Sequence, residues 1–329
     1  MNILFTSANW RAAIVKRFRE ALDRRPEGGR VHTVDSDPLA AAAYVSHRHD
    51  VAPLYASPEC RPWLRELIAR EAIDLIIPST DRDCLYFAEN GDVLDDSGAR
   101  VFLAPPEVVP VMLDKYAASR FWREHGVRVP DTWLPADAPT PSRTQPLIVK
   151  PRRDSGTQNT HVVRTSLQRD AALSMQDDAC VQSYISGREF SVDILADGDG
   201  RMIGAVPRVR LATKGGTSVK TVTVRHEPLV RLTRRLCEAI RAAGILCAQF
   251  IEEEASGALY LVEVNLRYGS GLPLAMAAGL DVPELLLRLH RGERPRLADD
   301  FYTPGLHMLY YLEPLFLPQG AIHAECCCV

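Results

Sequence analysis

Between residues 1 and 105, short apolar runs alternate three times with stretches whose apolar residues recur at helical spacing. "NILFTS" is followed by "NWRAAIVKRFREALDRR", where Ala13, Val15, Phe18 and Leu22 mark the helical stripe. "RVHTVDSD" precedes "RPWLRELIAREA", and "IDLIIPSTD" precedes "CLYFAENGDVLDDSG", before the run "ARVFLAPP". Strands joined by helical crossovers lie parallel, so the βαβαβαβ rhythm predicts a doubly wound parallel sheet. Ligands on such sheets sit beyond the carboxyl ends of the strands. Those ends here read "TSANW", "DSD" and "PSTDRD". The first turn lacks the G-x-G-x-x-G pattern, which argues against a dinucleotide site. Thr6, Ser7 and Asn9 could meet an anion at the following helix, but capping that helix is the favoured reading.

Proline-rich stretches divide the rest. "APPEVVP" (104–110) closes the first unit, and "LPADAPTPSRTQP" (134–146) reads as a surface connection. From residue 147 the pattern becomes hairpins of alternating strands mixed with helices such as 228–243, an α+β region. The net charge of −3 offers no basic field for nucleic acid or an anionic membrane. No apolar run approaches the roughly 18 residues of a membrane span, and the apolar segment at the start is too short for a signal peptide. Cys60, Cys84, Cys180, Cys237 and Cys247 are scattered singly, fitting reduced buried thiols and a cytoplasmic setting. Cys326, Cys327 and Cys328 near the end read first as a disordered tail, with prenylation or metal binding as the alternatives.

The strongest constellation is "CAQFIEEEASGALYLVEVNLR", residues 247–267, two strands around a tight turn. Strand side chains alternate faces, so Glu263, Asn265 and Arg267 share one face while Val262, Val264 and Leu266 pack on the other. A carboxylate, a neutral oxygen ligand and a guanidinium in one row suit a divalent cation bound to phosphate. They equally suit the polar outer face of a half-buried hairpin. If the turn is symmetric about Ser256, antiparallel partners sum to about 512 and Gln249 lies opposite Glu263. A one-residue slip would break this arrangement.

On these residues the chain resembles ATP-grasp enzymes, and within them the carbamoyl-phosphate-synthase large-subunit type. The family's E-x-N-x-R motif stands as Glu263, Asn265 and Arg267, and its upstream metal-ligating Gln as Gln249. The resemblance implies an α/β fold: an N-terminal doubly wound parallel-sheet (pre-ATP-grasp) domain, then a two-lobed α+β ATP-grasp region. The implied boundaries are 1–105 for the Rossmann-like domain, 106–181 for the small lobe with its linker helix, and 182–329 for the large lobe and tail.

It also implies ATP and two Mg²⁺ ions, with Mn²⁺ as a substitute, held by Gln249, Glu263 and Asn265, and Arg267 on the transferring phosphate. Lys115, in a helix ended by Gly126, would reach the α-phosphate side, and Lys150, closing the strand "LIVKP", the adenine and phosphates. "CVQSYISGREF" would supply adenine contacts from the Gln182 side chain and the Ser183 and Ile185 backbone, and a ribose carboxylate in Glu189. The family often has Glu where Gln182 stands. "PRRDSGTQNT" would fold over the phosphates through Ser155, Gly156 and Thr157. It carries one glycine, with Arg152 and Arg153 ahead of it, where relatives have several small residues. "PRVRLATKGGTSVK" reads as a flexible basic loop bringing Arg210 and Lys214 to an anionic intermediate.

The implied activity is ATP-dependent carboxylate–amine ligation through an acylphosphate, releasing ADP and phosphate. The alternatives are bicarbonate activation and a non-catalytic ATP-binding regulator. The implied partners are small carboxylates and amines, with no nucleic acid or membrane, and a homodimer is compatible with them.

Overall fold

The structure is a computed structural model and describes residues 1–153 and 159–318. Five strands, β1 (Asn2–Thr6), β2 (Arg30–Asp35), β3 (Arg48–Val51), β4 (Leu75–Pro78) and β5 (Arg100–Val101), form a sheet in the order β3-β2-β1-β4-β5. Every pairing is parallel. Helices α1 (Ala12–Asp23), α2 (Cys60–Arg70) and α3 (Asp81–Glu89) supply crossovers. The doubly wound unit is therefore present, with one strand more than the apolar runs announced. β3, "RHDV", is a polar edge strand whose only nonpolar side chain is Val51, so hydrophobicity does not reveal it.

The buried stripe of α1 is Ile14, Val15, Phe18 and Leu22, and Phe18 meets Phe5 edge-on at 5.0 Å. Ala13, expected on this stripe, is exposed. The capping reading of Ser7 and Asn9 is corrected as well. The N-cap of α1 is Arg11, without a side-chain cap. Ser7 Oγ donates to Asp83 Oδ1 (2.6 Å), and Asn9 Nδ2 donates to Asp37 Oδ2 (3.1 Å). Hydrogen bonds to carboxylates are stronger than neutral ones, so these side chains serve Asp83 in the first turn of α3 and Asp37 just past β2. Asp83 also accepts from Tyr55 Oη (2.7 Å) and from the Ser79 and Thr80 amides (both 2.8 Å).

Met1–Leu103 together with Gly279–Phe301 makes up most of one compact unit. The later segment contributes α9 (Val282–His290), where Glu284 pairs with Arg25. Ala104–Ala278 with Tyr302–Tyr310 forms the other unit. It begins with α4 (Val109–Leu113) and α5 (Lys115–Glu124), and Gly126 (φ 66°) follows α5 in the left-handed conformation a helix end favours. A four-stranded sheet, β6-β9-β7-β8, combines β6 (Thr132–Trp133), β7 (Leu147–Pro151), β8 (His161–Val163) and β9 (Ala179–Ser183), with α6 (Ser166–Leu173) before β9.

A six-stranded sheet follows, built from β10 (Gly187–Asp197), β11 (Met202–Lys214), β12 (Thr217–Thr223), β13 (Ala243–Glu253), β14 (Leu259–Asn265) and β15 (His307–Leu309). Its order is β14-β13-β10-β11-β12-β15, with antiparallel neighbours throughout. α7 (Glu227–Ala239) and α8 (Leu272–Ala278) complete the unit. α7 stops short of the expected residue 243, because Arg241 turns to φ 48° and Ala243 pairs with Asp197 in the sheet.

One face of the six-stranded sheet is core. Phe190 pairs with Phe250, Val192 with Ala248, and Ile194 with Leu246, all buried. The alternate residues of β10 and β13 necessarily present the opposite face. The stretch 207–220, expected as a flexible loop, is instead the β11–β12 hairpin closed by Gly215 (φ 54°) and Gly216 (φ 78°). Positive φ at both central residues is what a tight two-residue hairpin turn needs, and glycine adopts it without strain.

Candidate active site

The β13–β14 hairpin sets the geometry. Glu252 pairs with Leu259, Ile251 with Tyr260 and Phe250 with Leu261. The register then shifts at Val262, and Gln249 pairs with Glu263, Ala248 with Val264 and Cys247 with Asn265. Continued without the bulge, the turn-side register would set Gln249 against Val262 and move Glu263 to the other face. The bulge therefore places Glu263 opposite Gln249, the pairing expected from a symmetric turn but reached by a different route. It also corrects the expectation for Val262. Leu261, Val264 and Leu266 are buried, whereas Val262 is half-buried and lines a cavity.

The polar row continues across the sheet. Gln249 pairs with Ser191, which pairs with Arg208, and Cys247 pairs with Asp193. Asn265 Nδ2 donates to Glu263 Oε1 (2.6 Å). Ser191 Oγ and Asp193 Oδ1 are buried oxygens without a hydrogen-bond partner among the described residues. Unsatisfied buried oxygens beside a carboxylate and two carboxamides form a hard-donor set, and these residues fit a cation such as Mg²⁺. Ser191 and Asp193 were missed in the sequence. Their signal was there, because "EFSVD" (189–193) alternates in the same way as "EVNLR".

Arg208 and Asp193 are a fully buried ion pair at 2.7 Å. Arg208 Nη1 also donates to Ser218 Oγ (3.1 Å). The guanidinium lies against the Gly269–Gly271 backbone, so close that a Cβ on Gly271 would fall 2.0 Å from Arg208 Nε. Arg210, two residues on, donates from Nη1 to Gln249 Oε1 (3.1 Å) and from Nη2 to the Gly216 carbonyl (3.1 Å). Its Nε lies 3.2 Å from Glu189 Oε2.

Lys150 lies one residue before the end of β7 and is buried, with Glu263, Cys180 and Lys115 as its charged or titratable neighbours. Burial lowers its pKa below the ordinary lysine value and the Lys115 charge adds to this, while Cys180 and Glu263 oppose it. Burial raises the pKa of Cys180 and pushes that of Cys247 up to about 12, so both thiols are protonated at neutral pH and neither is poised as a nucleophile.

Lys115 opens α5 beside its N-cap, Asp114, whose Oδ1 accepts from the Tyr116 and Ala117 amides (both 3.1 Å). Arg152 Nε donates to the same oxygen (2.8 Å), Arg153 reaches Asp114 Oδ2 (3.0 Å), and the Lys115 amide donates to the Arg152 carbonyl (3.0 Å). The two arginines that preceded the expected phosphate loop are thus engaged at the helix N-terminus. Ser155, Gly156 and Thr157 lie outside the described residues, as do Cys326, Cys327 and Cys328.

Burial opposes ionisation of Asp114, but the Arg152 hydrogen bond and the Ala117 amide outweigh it and hold its pKa below the usual value of 3.8. A depressed carboxylate pKa stabilises the fold above the unfolded value, and the contribution fades as pH falls through the folded one. Asp114→Asn, which keeps the cap, is expected to lower stability at pH 7 by about 1–2 kcal/mol. The difference from the wild type should shrink below about pH 4 in urea melts. Equal stability of the two proteins at pH 7 would show that the arginine pairing contributes nothing.

Gln182 is buried and its Nε2 donates to Thr132 Oγ1 (2.8 Å). With Lys115, Trp122, Leu261, Val262 and Glu263 it lines a cavity of about 20 Å³. That is room for one water-sized molecule, whereas ligand clefts begin at roughly 300 Å³. The Ser183 amide donates to the Asp131 carbonyl (2.9 Å), and Ile185 follows the end of β9. Arg267 is half-buried, with Nη1 donating to the Tyr268 carbonyl (3.1 Å). Lys214 is exposed at the hairpin turn. The structure thus brings Lys115, Lys150, Gln182, Glu263, Asn265, Gln249, Arg210 and Glu189 into one connected set, and leaves Lys214 at its edge.

This architecture, with a parallel-sheet unit, a small antiparallel sheet carrying a buried lysine and a larger one carrying the E-x-N row, is an ATP-grasp architecture. Residues 175–307 match the family described as "ATP-grasp in the biosynthetic pathway with Ter operon", and residues 3–102 match "PylC-like, N-terminal domain". Within the class its sequence is similar to the carbamoyl phosphate synthase large chain. It is 30% identical over 135 residues to the carbamoyl phosphate synthase large chain of Agathobacter rectalis, spanning 38% of this chain and 12% of that one. The chain thus corresponds to a small part of the curated relatives it matches.

Among solved structures, it resembles the biotin carboxylase domain of Hydrogenobacter thermophilus 2-oxoglutarate carboxylase, a dimer in complex with MgADP, ADP and bicarbonate. The TM-score is 0.69 at 16% identity, covering 93% of this chain and 73% of that one. It also resembles L-amino acid ligase from Bacillus licheniformis, with TM-score 0.68 at 17% identity, covering 92% and 77%. At these identities the likeness is one of fold. Among the described residues, no helix is long and apolar enough to cross a membrane.

Proposed function

We propose that this chain is an ATP-dependent carboxylate–amine ligase. The observation that carries the reading is the Gln249–Glu263 pairing, with Asn265 bonded to Glu263 and Lys150 buried beside it. In this reading Gln249, Glu263 and Asn265 hold two Mg²⁺ ions, for which Mn²⁺ can substitute. The metal neutralises phosphate charge. Lys115 and Lys150 hold the phosphate chain, and Glu189 and the Gln182–Ile185 hinge hold the ribose and adenine. Arg267 meets the transferring phosphate, and Arg210 and Lys214 the anionic intermediate. A substrate carboxylate takes the γ-phosphoryl group of ATP to give an acylphosphate and ADP. An amine then attacks the acyl carbon, forming the C–N bond and releasing phosphate. The protein's share is positioning and electrostatic stabilisation, which need no protein nucleophile.

A phosphate-release screen of small carboxylates and amino acids against candidate amines tests this. Release is expected only with both acid and amine present, with ADP as the nucleotide product. AMP and pyrophosphate would overturn the reading, and so would ATP binding without turnover across the screen. Similarity to the carbamoyl phosphate synthase large chain favours a second reading, activation of bicarbonate. Bicarbonate-dependent ADP formation with no other acid present would select it.

A further inference from the structure

Arg210 touches two of the side chains assigned to nucleotide and metal. Its guanidinium bonds Gln249 Oε1 and Gly216 O at 3.1 Å and lies 3.2 Å from Glu189 Oε2, with the side chain only 7% exposed. It stands where the β11–β12 ladder loses register. Arg210 pairs with Thr221, the next pair is Ala212 with Lys220, and Leu211 between them is 52% exposed. Beyond this irregularity the hairpin tip carries Lys214 and the Gly215–Gly216 turn. A single cation therefore joins the ligand row, through Gln249, to the hairpin tip, through Gly216.

Gln249 has one good ligand atom, its carboxamide oxygen, and Arg210 binds that atom. A divalent cation on the same oxygen would lie a few ångströms from the guanidinium in largely buried surroundings, where like charges repel strongly. We propose that Arg210 is a resident cation that competes with the divalent metal for Gln249 Oε1. Metal binding displaces Arg210 from Gln249, and the displacement is passed to the hairpin tip through the Gly216 contact. The arginine holds the ligand row in register until the metal replaces it, and its release frees the tip carrying Lys214. This rests on the metal assignment made under the proposed function, although not on the identity of the acid or amine.

The test titrates the full chain with Mn²⁺ alone and reads bound ion by electron paramagnetic resonance. Arg210→Met is expected to bind Mn²⁺ on the order of tenfold more tightly than the wild type, the range of an ordinary coupling between sites. In a Gln249→Ala background the same substitution should make no difference. Added Mn²⁺ should speed amide exchange over residues 211–219 in the wild type but not in Arg210→Met. Equal or weaker Mn²⁺ binding by a folded Arg210→Met protein overturns the competition, and unchanged exchange in the wild type overturns its transmission to the tip. No Mn²⁺ binding by either protein overturns the metal assignment and this inference with it, whereas failure of the ligase reading alone would appear only in the phosphate-release screen.

Discussion

Glu263→Gln is expected to lower acid- and amine-dependent phosphate release by on the order of 10³-fold while leaving the fold intact. The expectation follows from the charges on the row. Gln249, Asn265 and Ser191 are neutral, the Asp193 charge is neutralised by Arg208, and Glu189 faces Arg210. Among the described residues, Glu263 is the carboxylate of this face hydrogen-bonded by a neutral amide, Asn265, rather than an arginine, with the buried Lys150 as its cationic neighbour. It supplies negative charge to the cation that no arginine already offsets. Glutamine preserves the volume at this half-buried position, so circular dichroism and the melting temperature should change little. Turnover within tenfold of the wild type would remove Glu263 from the metal site.

Arg208→Leu is expected to destabilise the protein by about 3–5 kcal/mol, because it leaves Asp193 as an uncompensated buried charge. Arg208→Leu combined with Asp193→Leu should recover most of that loss, since replacing a buried ion pair with apolar groups is often close to neutral. Gly271→Ala probes the same contact from the other side. Its methyl group would fall 2.0 Å from Arg208 Nε, so the loop or the guanidinium must shift. Such overpacking costs about 1–3 kcal/mol. Urea denaturation measures all three variants. A loss below about 1 kcal/mol for Arg208→Leu alone would mean that Asp193 finds another partner or becomes neutral, and the ion pair would not be what holds this part of the sheet.

Much of the candidate site was legible because strand periodicity is a local property. Two-residue alternation puts Glu263 and Asn265 on one face whatever the remainder of the chain does. The same rule, applied to β10, would have found Ser191 and Asp193. Lys150 was legible as the end of an apolar strand, and the end of α5 through Gly126. Other features had no local signal. β3 is polar because it lies at the sheet edge. Ser7 and Asn9 have the composition of caps, and only the nearness of Asp83 and Asp37 diverts them. Arg152 and Arg153 look like phosphate ligands until Asp114, nearly forty residues upstream in the chain, is found against them.

Local spacing alone makes certain chemical groups available and sets how they alternate: a carboxylate and a carboxamide two residues apart, a glutamine on the preceding strand, lysines at a helix start and a strand end, and a parallel-sheet unit ahead of them. How they meet depends on long-range packing. The bulge at Val262 sets Glu263 against Gln249, and a one-residue difference in register reverses every face beyond it. The fold also chose a partner for each arginine: Asp193 for Arg208, Gln249 and Glu189 for Arg210, Asp114 for Arg152. A guanidinium binds whichever acceptor the folded chain brings within reach, and no spacing in the sequence encodes that choice.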